Sequence, residues 1–275
     1  MARRLFGSLL SAALLGLSAS QSLAASLRVA LEDADNRPVE YLDETGRLTG
    51  FHVELVRQVC DTLGWQVGFE RVPWQRAEAL LESGAVDAVT FMARNPQREA
   101  YAWFLPDNVL GRTSVELWVL QDRAASIRWE PPLAKTMAHW RVGGVLGWYY
   151  GDEYKAAIVA GAPVDLTATS VTALARMLLA GRIDIALAET RFPDQIAAEL
   201  PGVAGRLHSL PGASLPGTPV YLAFTRRGAG EAEARQFASA YADWRRTGAY
   251  RTLVERFGVA DRVAASGDAQ GRNGE

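Results

Sequence analysis

The hydrophobic and polar positions of residues 66–98 predict a strand, a helix and a second strand. Residues 66–71 alternate between apolar and polar side chains, as a strand does. Pro73 stands where a helix can begin, and Gly84 stands just past the last predicted turn. Residues 86–91 form a short apolar run that is typical of a strand buried on both faces. This β-α-β unit predicts parallel strands joined by a right-handed crossover.

The same alternation of strands and helices occurs twice along the chain. The first run begins with a predicted strand at 26–31, and the second begins at 141–146. A last strand at 220–224 and two helices follow without a complete unit of their own, so the simplest packing returns them to the first unit. We therefore predict two α/β lobes with two strands that cross between them. The predicted boundaries are 26–117 plus 222–260 for lobe one and 118–221 for lobe two.

The N-terminus has the features of a secretory signal. Residues 1–4 are basic, and residues 5–17 are mostly apolar but too short to span a bilayer. We predict that residues 1–25 are a signal peptide, cleaved after Ala24 or Ala25, and that the mature protein is periplasmic. No cysteine directly follows the apolar region, so no lipid anchor is expected.

Composition narrows the function classes. The 275 residues are 49% hydrophobic and 22% charged, which leaves room for two modest domains. A formal net charge of −2 argues against nucleic acid as a partner. The single cysteine, Cys60, lies on the apolar face of a predicted helix and is interpreted as an inert buried thiol. The three histidines lack metal-ligand spacing, so no metal or cofactor is predicted. Ala, Gly, Ser and Asp dominate the C-terminus, which predicts a disordered tail at 261–275.

Charged and aromatic side chains follow the predicted strands at their carboxyl ends, where α/β sheets bind ligands. An acid can hold an ammonium, and an arginine can hold a carboxylate through paired donors. Such a set suits a small zwitterion. The predicted ligand-binding residues are Glu32, Trp74, Phe91, Arg94 and Arg98 on lobe one, and Trp148, Tyr149 and Glu189 on lobe two.

Most of these residues also have a purely structural interpretation. Arg98 would be a bridge within lobe one, and Glu189 would cap a helix. Trp74 would be a core residue, and Arg94 would be a solvated loop charge. The run 148–150 would pack within lobe two.

Several short motifs, in their order and spacing, resemble the family 3 extracellular solute-binding proteins, which include the periplasmic polar amino-acid receptors of ABC transporters. The resemblance covers about residues 26–258. It implies two Rossmann-like lobes in the periplasmic binding protein type II (Venus flytrap) fold, closing on a ligand at a hinge. The motifs are LRVA (27–30), YLDETGRLTGF (41–51), PW (73–74), SGAVDAV (83–89), PQRE (96–99) and GRIDIAL (181–187).

The resemblance also implies roles for four residues. Arg98 matches the arginine that holds the ligand α-carboxylate. Glu189 matches the acid that holds the α-ammonium, where aspartate is usual. Trp74 matches the aromatic residue that stacks over the ligand side chain, and Glu32 matches an acid that contacts the distal end of the ligand.

Three positions depart from the family pattern. Residues 91–93 are Phe-Met-Ala where small hydroxyl residues are usual, and the segment looks one residue shorter. Gly147-Trp148 stands in place of Gly-Thr or Gly-Ser, and His52 replaces an aspartate. The amino-acid clamp is therefore incomplete, and the more aromatic pocket suits a larger or flatter ligand.

The leading hypothesis is a non-catalytic, monomeric receptor that presents a small polar ligand to an ABC permease in the inner membrane. One alternative is a ligand-sensing periplasmic module that works without a permease. A second alternative is an enzyme that resembles cyclohexadienyl dehydratases, with Glu189 as general acid, its pKa raised by burial.

Overall fold

The computed structural model describes residues 25–228 and 230–264, so residues 1–24 of the predicted signal peptide lie outside the described residues. The strands are β1 (Ser26–Glu32), β2 (Tyr41–Leu42), β3 (Leu48–Thr49), β4 (Gln66–Val72), β5 (Ala88–Ala93), β6 (Ala102–Trp103), β7 (Val109–Arg112), β8 (Val115–Leu120), β9 (Val142–Val145), β10 (Val164–Ala168), β11 (Ile185–Glu189), β12 (Leu207–Ser214) and β13 (Pro219–Thr225). The helices are α1 (Phe51–Leu63), α2 (Trp74–Ser83), α3 (Pro96–Glu99), α4 (Leu133–His139), α5 (Asp152–Val159), α6 (Val171–Leu179), α7 (Phe192–Ile196), α8 (Gly230–Trp244), α9 (Gly248–Phe257) and α10 (Ala260–Ala264).

Lobe one is built on a mixed sheet in the order β4-β1-β5-β13-β6, with β7 also paired to β13. Strand β1 runs parallel to β4 and β5, which confirms the predicted β-α-β unit. Helices α1, α8 and α9 pack into one apolar cluster, and α2 packs into another. Helix α2 ends at Gly84, whose left-handed conformation (φ 76°) closes the last turn as predicted.

Lobe two is built on a second sheet in the order β10-β9-β11-β8-β12. Strands β9, β10 and β11 are parallel neighbours, whereas β8 is antiparallel to β11 and β12. Two apolar clusters fill the lobe, and helix α6 contributes to one of them with side chains that include Leu174 and Leu178. The two-lobe α/β fold class is therefore confirmed.

Within the residues that the structure describes, the chain crosses between the lobes twice, at residues 113–114 and 215–218. Strand β8 pairs only within the sheet of lobe two, and β13 pairs only within the sheet of lobe one. The boundaries drawn from the sequence at 117/118 and 221/222 lie inside these two strands. Each of these strands is hydrogen-bonded to neighbours in one sheet, so the crossings lie in the adjacent loops. Thr113 donates its backbone N–H to the Thr218 carbonyl, which ties the two crossings together.

Helix α4 begins directly after Pro132, which leaves its first turn free to form. Strand β12 contains Pro and Gly residues and forms because its backbone pairs with β8. Helix α10 lies across the start of the predicted disordered tail, so that prediction is wrong for residues 261–264. The rest of the predicted tail lies outside the described residues.

Within residues 25–228 and 230–264, no helix has both the length and the apolar character needed to cross a membrane.

Candidate functional site

The two lobes are in direct contact across the cleft. One group of polar contacts joins lobe one to lobe two. The contacts are Gln75 Nε2 to Leu146 O (2.8 Å), Arg98 Nη2 to Gly147 O (2.8 Å), Trp148 Nε1 to Glu32 Oε1 (3.3 Å), Gln195 Nε2 to Asn36 Oδ1 (3.2 Å) and Arg262 Nη2 to Glu189 Oε2 (3.3 Å). The cleft is therefore closed in this conformation.

A small cavity of about 40 Å³ remains between the lobes. Seven of the eight residues predicted to bind ligand line it, and only Arg94 does not. The lining residues are Glu32, Trp74, Phe91, Ala93, Arg98, Thr113, Val115, Trp148, Tyr149, Tyr150, Glu189 and Val220. This space holds a few water molecules at most, since one water needs roughly 10–15 Å³ by this measure. An amino acid is larger than the cavity, so binding one requires side chains or lobes to move.

Arg98 is buried on the lobe-one wall of the cavity, with 4% of its surface exposed. The Asn95 side chain caps α3 by accepting the Arg98 backbone N–H (2.8 Å), which fixes where the side chain starts. The guanidinium donates to Glu78 Oε1 (2.8 Å), to the Ala93 carbonyl (2.9 Å) and to the Gly147 carbonyl. A guanidinium carries five N–H donors, so two remain for a ligand.

Trp74 begins α2 immediately after Pro73 and packs beside Arg98, whose guanidinium carbon lies 5.2 Å from the indole centre. The indole is 6% exposed. Its Nε1 is buried and has no hydrogen-bond partner among the residues that the structure describes. A buried donor without a partner costs free energy, so an acceptor on a ligand would be stabilised here.

Glu32 is the last residue of β1 and lies in the cavity wall. Its two carboxylate oxygens accept from Trp148 Nε1 (3.3 Å) and from Asn36 Nδ2 (3.4 Å). Burial raises the pKa of Glu32 to about 7, and these two donors only partly oppose the rise.

Glu189 occupies the corresponding position at the end of β11 on the other lobe. Its Oε2 accepts the Ser114 backbone N–H (3.3 Å) and faces the guanidinium of Arg262 (3.3 Å). Burial raises the pKa of Glu189 to about 7 as well, although the positive charge of Arg262 acts in the opposite direction. Glu189 is thus not the cap of a helix but a buried carboxyl group at the cleft.

Phe91 enters the cavity because β5 bulges. Two residues of β5, Thr90 and Phe91, stand opposite Leu222 of β13, where a regular pairing has one. Phe91 has φ 55°, a left-handed conformation that costs a bulky residue about 1–2 kcal/mol. Its ring lies 5.4 Å from that of His52. His52 is buried and pairs with Glu40 (Nδ1 to Oε1, 3.0 Å).

Arg94 points away from the central cavity, in line with its structural interpretation. Its side chain is 55% exposed and pairs with Glu99. It lines a second, more open cavity of about 430 Å³ beside the two crossings, together with Arg112 and Tyr221. Tyr149 lines both cavities, and its hydroxyl group donates to Asp152.

Sequence reasoning missed several polar residues at the cleft, and Asn36 and Arg262 are two of them. Asn36 lies in the loop after β1, and the polar exit of that strand was the available signal. Arg262 lies in α10, and nothing near it in the sequence indicates a contact with Glu189. No group of three or more His, Cys, Asp or Glu side chains within the described ranges is placed to hold a metal ion. The cavity thus offers donors from Arg98 and Trp74 on one lobe and carboxyl groups from both lobes.

Part of the chain is similar in sequence to known proteins. Residues 27–127 match the family model of bacterial extracellular solute-binding proteins, family 3. A Haemophilus influenzae protein, described as a probable amino-acid ABC transporter-binding protein, is 33% identical over 76 residues. That match covers 27% of this chain and 30% of the relative's length.

Solved structures extend the comparison to most of the chain. A histidine kinase sensor domain with similarity to periplasmic binding proteins aligns with a TM-score of 0.66 at 23% identity, covering 84% of this chain and 95% of that one. An ancestral arginine-binding protein bound to arginine aligns with a TM-score of 0.66 at 21% identity, covering 85% and 98%. The chain therefore has the type II periplasmic-binding-protein fold, and its residues 27–127 match the model of the bacterial extracellular solute-binding proteins, family 3.

Proposed function

We propose that this protein is a periplasmic solute-binding protein, exported by its signal peptide. It captures a small polar or zwitterionic ligand, such as an amino acid or a related compound, and delivers it to an ABC permease. One observation carries the proposal: Arg98 of lobe one and Glu189 of lobe two lie on opposite walls of a single cavity. Opposite charges from two lobes give a zwitterion a higher affinity for the closed state than for the open state. Such a difference is what drives closure.

The two carboxyl groups make ligand binding depend on pH. Glu32 and Glu189 each have a pKa of about 7 in the closed cleft because of burial. A ligand ammonium stabilises the ionised form, so its binding releases protons where these groups are protonated. Affinity for a ligand with an ammonium group should therefore rise between pH 5.5 and pH 8. A ligand without a cationic group should lose affinity over the same range.

Isothermal titration against amino acids and polyamines, including aromatic and modified forms, tests the proposal directly. Arg98→Lys keeps the charge but removes the paired donors, and we expect it to weaken binding of a carboxylate ligand by roughly 10- to 100-fold. Arg94→Lys is the matched control and should leave affinity unchanged, since Arg94 lies outside the cavity. Flat heats for the whole panel would count against an amino-acid-type receptor. Mass spectrometry of small molecules that copurify with the protein would identify a ligand outside the panel.

A ligand-sensing module without a permease is the first alternative. The same fold occurs in a histidine kinase sensor domain, so the fold alone does not select the partner. A pull-down from the native membrane distinguishes the two, because a receptor ectodomain would support sensing and a permease would support transport.

A dehydratase-like activity is the second alternative, and the buried Glu189 with its raised pKa is the observation that favours it. Consumption of prephenate or arogenate by the wild type, abolished in Glu189→Gln, would establish it. No turnover in the wild type would exclude it.

A further inference from the structure

The loop that starts at Gly147 reaches from lobe two into the polar groups of lobe one. The Gly147 carbonyl accepts a hydrogen bond from Arg98 Nη2 at 2.8 Å. The next residue, Trp148, donates its indole N–H to Glu32 Oε1 at 3.3 Å. Two adjacent residues of the chain thus present an acceptor to the arginine and a donor to the acid. A zwitterionic ligand would present the same two groups.

The backbone conformation of Gly147 permits this close approach to Arg98. Its φ of 82° is left-handed, where glycine carries no steric penalty. A Cβ at this position would lie 3.2 Å from Trp74 Cδ1 and 3.5 Å from Glu78 Oε2. The contact with the Trp74 ring is tighter than side chains usually make, so any larger residue would push the loop back from Arg98.

Trp148 fills the space between the lobes. Its indole packs against the apolar cluster of lobe one that contains Ala30 and Trp74, and also against both clusters of lobe two. With the indole in place, the remaining cavity is about 40 Å³. The volume that a ligand side chain would need is therefore occupied by the protein itself.

We propose that Gly147 and Trp148 act as a tethered competitor for the ligand cleft, so that a ligand binds only by displacing the Trp148 indole. This rests on the proposed function and deepens it, because Trp148 then decides which ligands bind. The favoured class has an anionic or carbonyl acceptor for Arg98, linked to an N–H donor or ammonium for Glu32. Compounds with only one of these groups cannot replace both bonds of the loop.

The first test uses indole itself and needs no natural ligand. Trp148→Gly removes the side chain, and buried cavities on the order of 150 Å³ bind free aromatic rings. We expect indole to bind this variant at least about tenfold more tightly than wild type, as measured by isothermal titration. 1-Methylindole lacks the N–H that Glu32 accepts, so it should bind several-fold more weakly than indole. Trp140→Gly, which removes an indole packed against lobe two outside the cavity, is the control and should not bind indole.

The second test measures closure and affinity. Small-angle scattering of ligand-free protein should show a larger radius of gyration for Trp148→Ala than for wild type, because the bonds and packing that close the cleft are lost. Any ligand found in the titration panel should bind Trp148→Ala about tenfold more tightly than wild type. The reason is that the ligand no longer has to displace the indole and its hydrogen bond to Glu32.

These outcomes separate the competitor from a fixed pocket wall. Weaker ligand binding by Trp148→Ala would overturn the proposal, as would a folded Trp148→Gly that binds no indole. If Trp148→Gly fails to fold, the same indole titration is made on Trp148→Ala. Failure of the amino-acid panel alone would remove the proposed function, whereas indole binding and scattering still decide the role of Trp148.

Discussion

Replacing Glu32 by glutamine should change how stability depends on pH. The pKa of Glu32 is about 7 in the folded protein, against an ordinary value of 4.5, because burial disfavours its charged form. This difference corresponds to roughly 3 kcal/mol. The folded protein binds the proton more tightly than the unfolded chain, so Glu32 lowers stability progressively as the pH rises from about 4.5 to 7. Glutamine does not ionise and cannot contribute this loss.

The substitution also has a cost that does not depend on pH. Glutamine keeps an oxygen to accept the Trp148 N–H, but its amide nitrogen meets Asn36 Nδ2, which is itself a donor. One hydrogen bond is therefore lost, at about 1 kcal/mol. We expect Glu32→Gln to be about 1 kcal/mol less stable than wild type at pH 4.5 and about 2 kcal/mol more stable at pH 8. The change between the two pH values is about 3 kcal/mol, which is larger than the constant cost.

Urea unfolding followed by far-UV circular dichroism at pH 4.5, 6 and 8 measures both the constant cost and the pH-dependent change in stability, provided that the m-value stays constant. Glu44→Gln removes an exposed carboxylate in the turn between β2 and β3 and should show no comparable trend. A difference between Glu32→Gln and wild type that is flat with pH would refute the reasoning. It would mean that Glu32 is hydrated at neutral pH and that the lobes are open there.

Three further substitutions test other parts of the cleft. Arg262→Met leaves Glu189 without its cationic partner, so it should destabilise the protein by about 1–3 kcal/mol at pH 8 and by less at pH 5, where Glu189 is protonated. Equal losses at both pH values would contradict this, as would a similar loss in Arg251→Met, which removes an exposed arginine from α9. Phe91→Gly relieves a left-handed backbone strain of about 1–2 kcal/mol. In urea unfolding, its loss of stability should therefore be about 1–2 kcal/mol smaller than that of Phe69→Gly, which removes another half-buried phenylalanine from the same sheet. Gly147→Ala and Gly161→Ala impose similar backbone strain (φ 82° and 85°), but only Gly147 faces Trp74, so only Gly147→Ala should enlarge the protein in small-angle scattering.

The elements that could be predicted from the sequence are those whose signals are local. Helix α2 carries its start at Pro73, its apolar face and its stop at Gly84 within one short stretch. Strands β1 and β5 are apolar runs with polar exits, and that pattern placed Glu32 and Arg98 near one edge of the lobe-one sheet. Parallel strands end at a shared edge, so local patterns indicate which side chains lie at the edge of each sheet. The two edges belong to different sheets, and their approach across the cleft depends on contacts between the lobes.

The features that escaped prediction depend on partners far away in the sequence. Strand β12 is held by its pairing with β8, and its own composition of Gly, Pro and Ser gives no strand signal. The bulge at Phe91 is defined by the register against β13, which local sequence does not encode. Arg262 contacts the cleft only because α10 packs on β7, whereas composition alone indicated a tail. Residues 91–93 and Trp148 indicated a more aromatic pocket suited to a larger or flatter ligand, but Phe91 and Trp148 line a cavity of only about 40 Å³.

The two buried carboxyl groups link closure to protonation. Glu32 belongs to lobe one and accepts from Trp148 of lobe two, while Glu189 belongs to lobe two and faces Arg262 of lobe one. Opening the cleft breaks both contacts and hydrates both groups, which returns their pKa values toward 4.5. Closing the cleft raises both pKa values to about 7, so closure takes up protons at neutral pH. A ligand ammonium in the cleft would replace those protons as the source of positive charge. Protons and the proposed ligand therefore stabilise the same closed state by neutralising the same carboxylates.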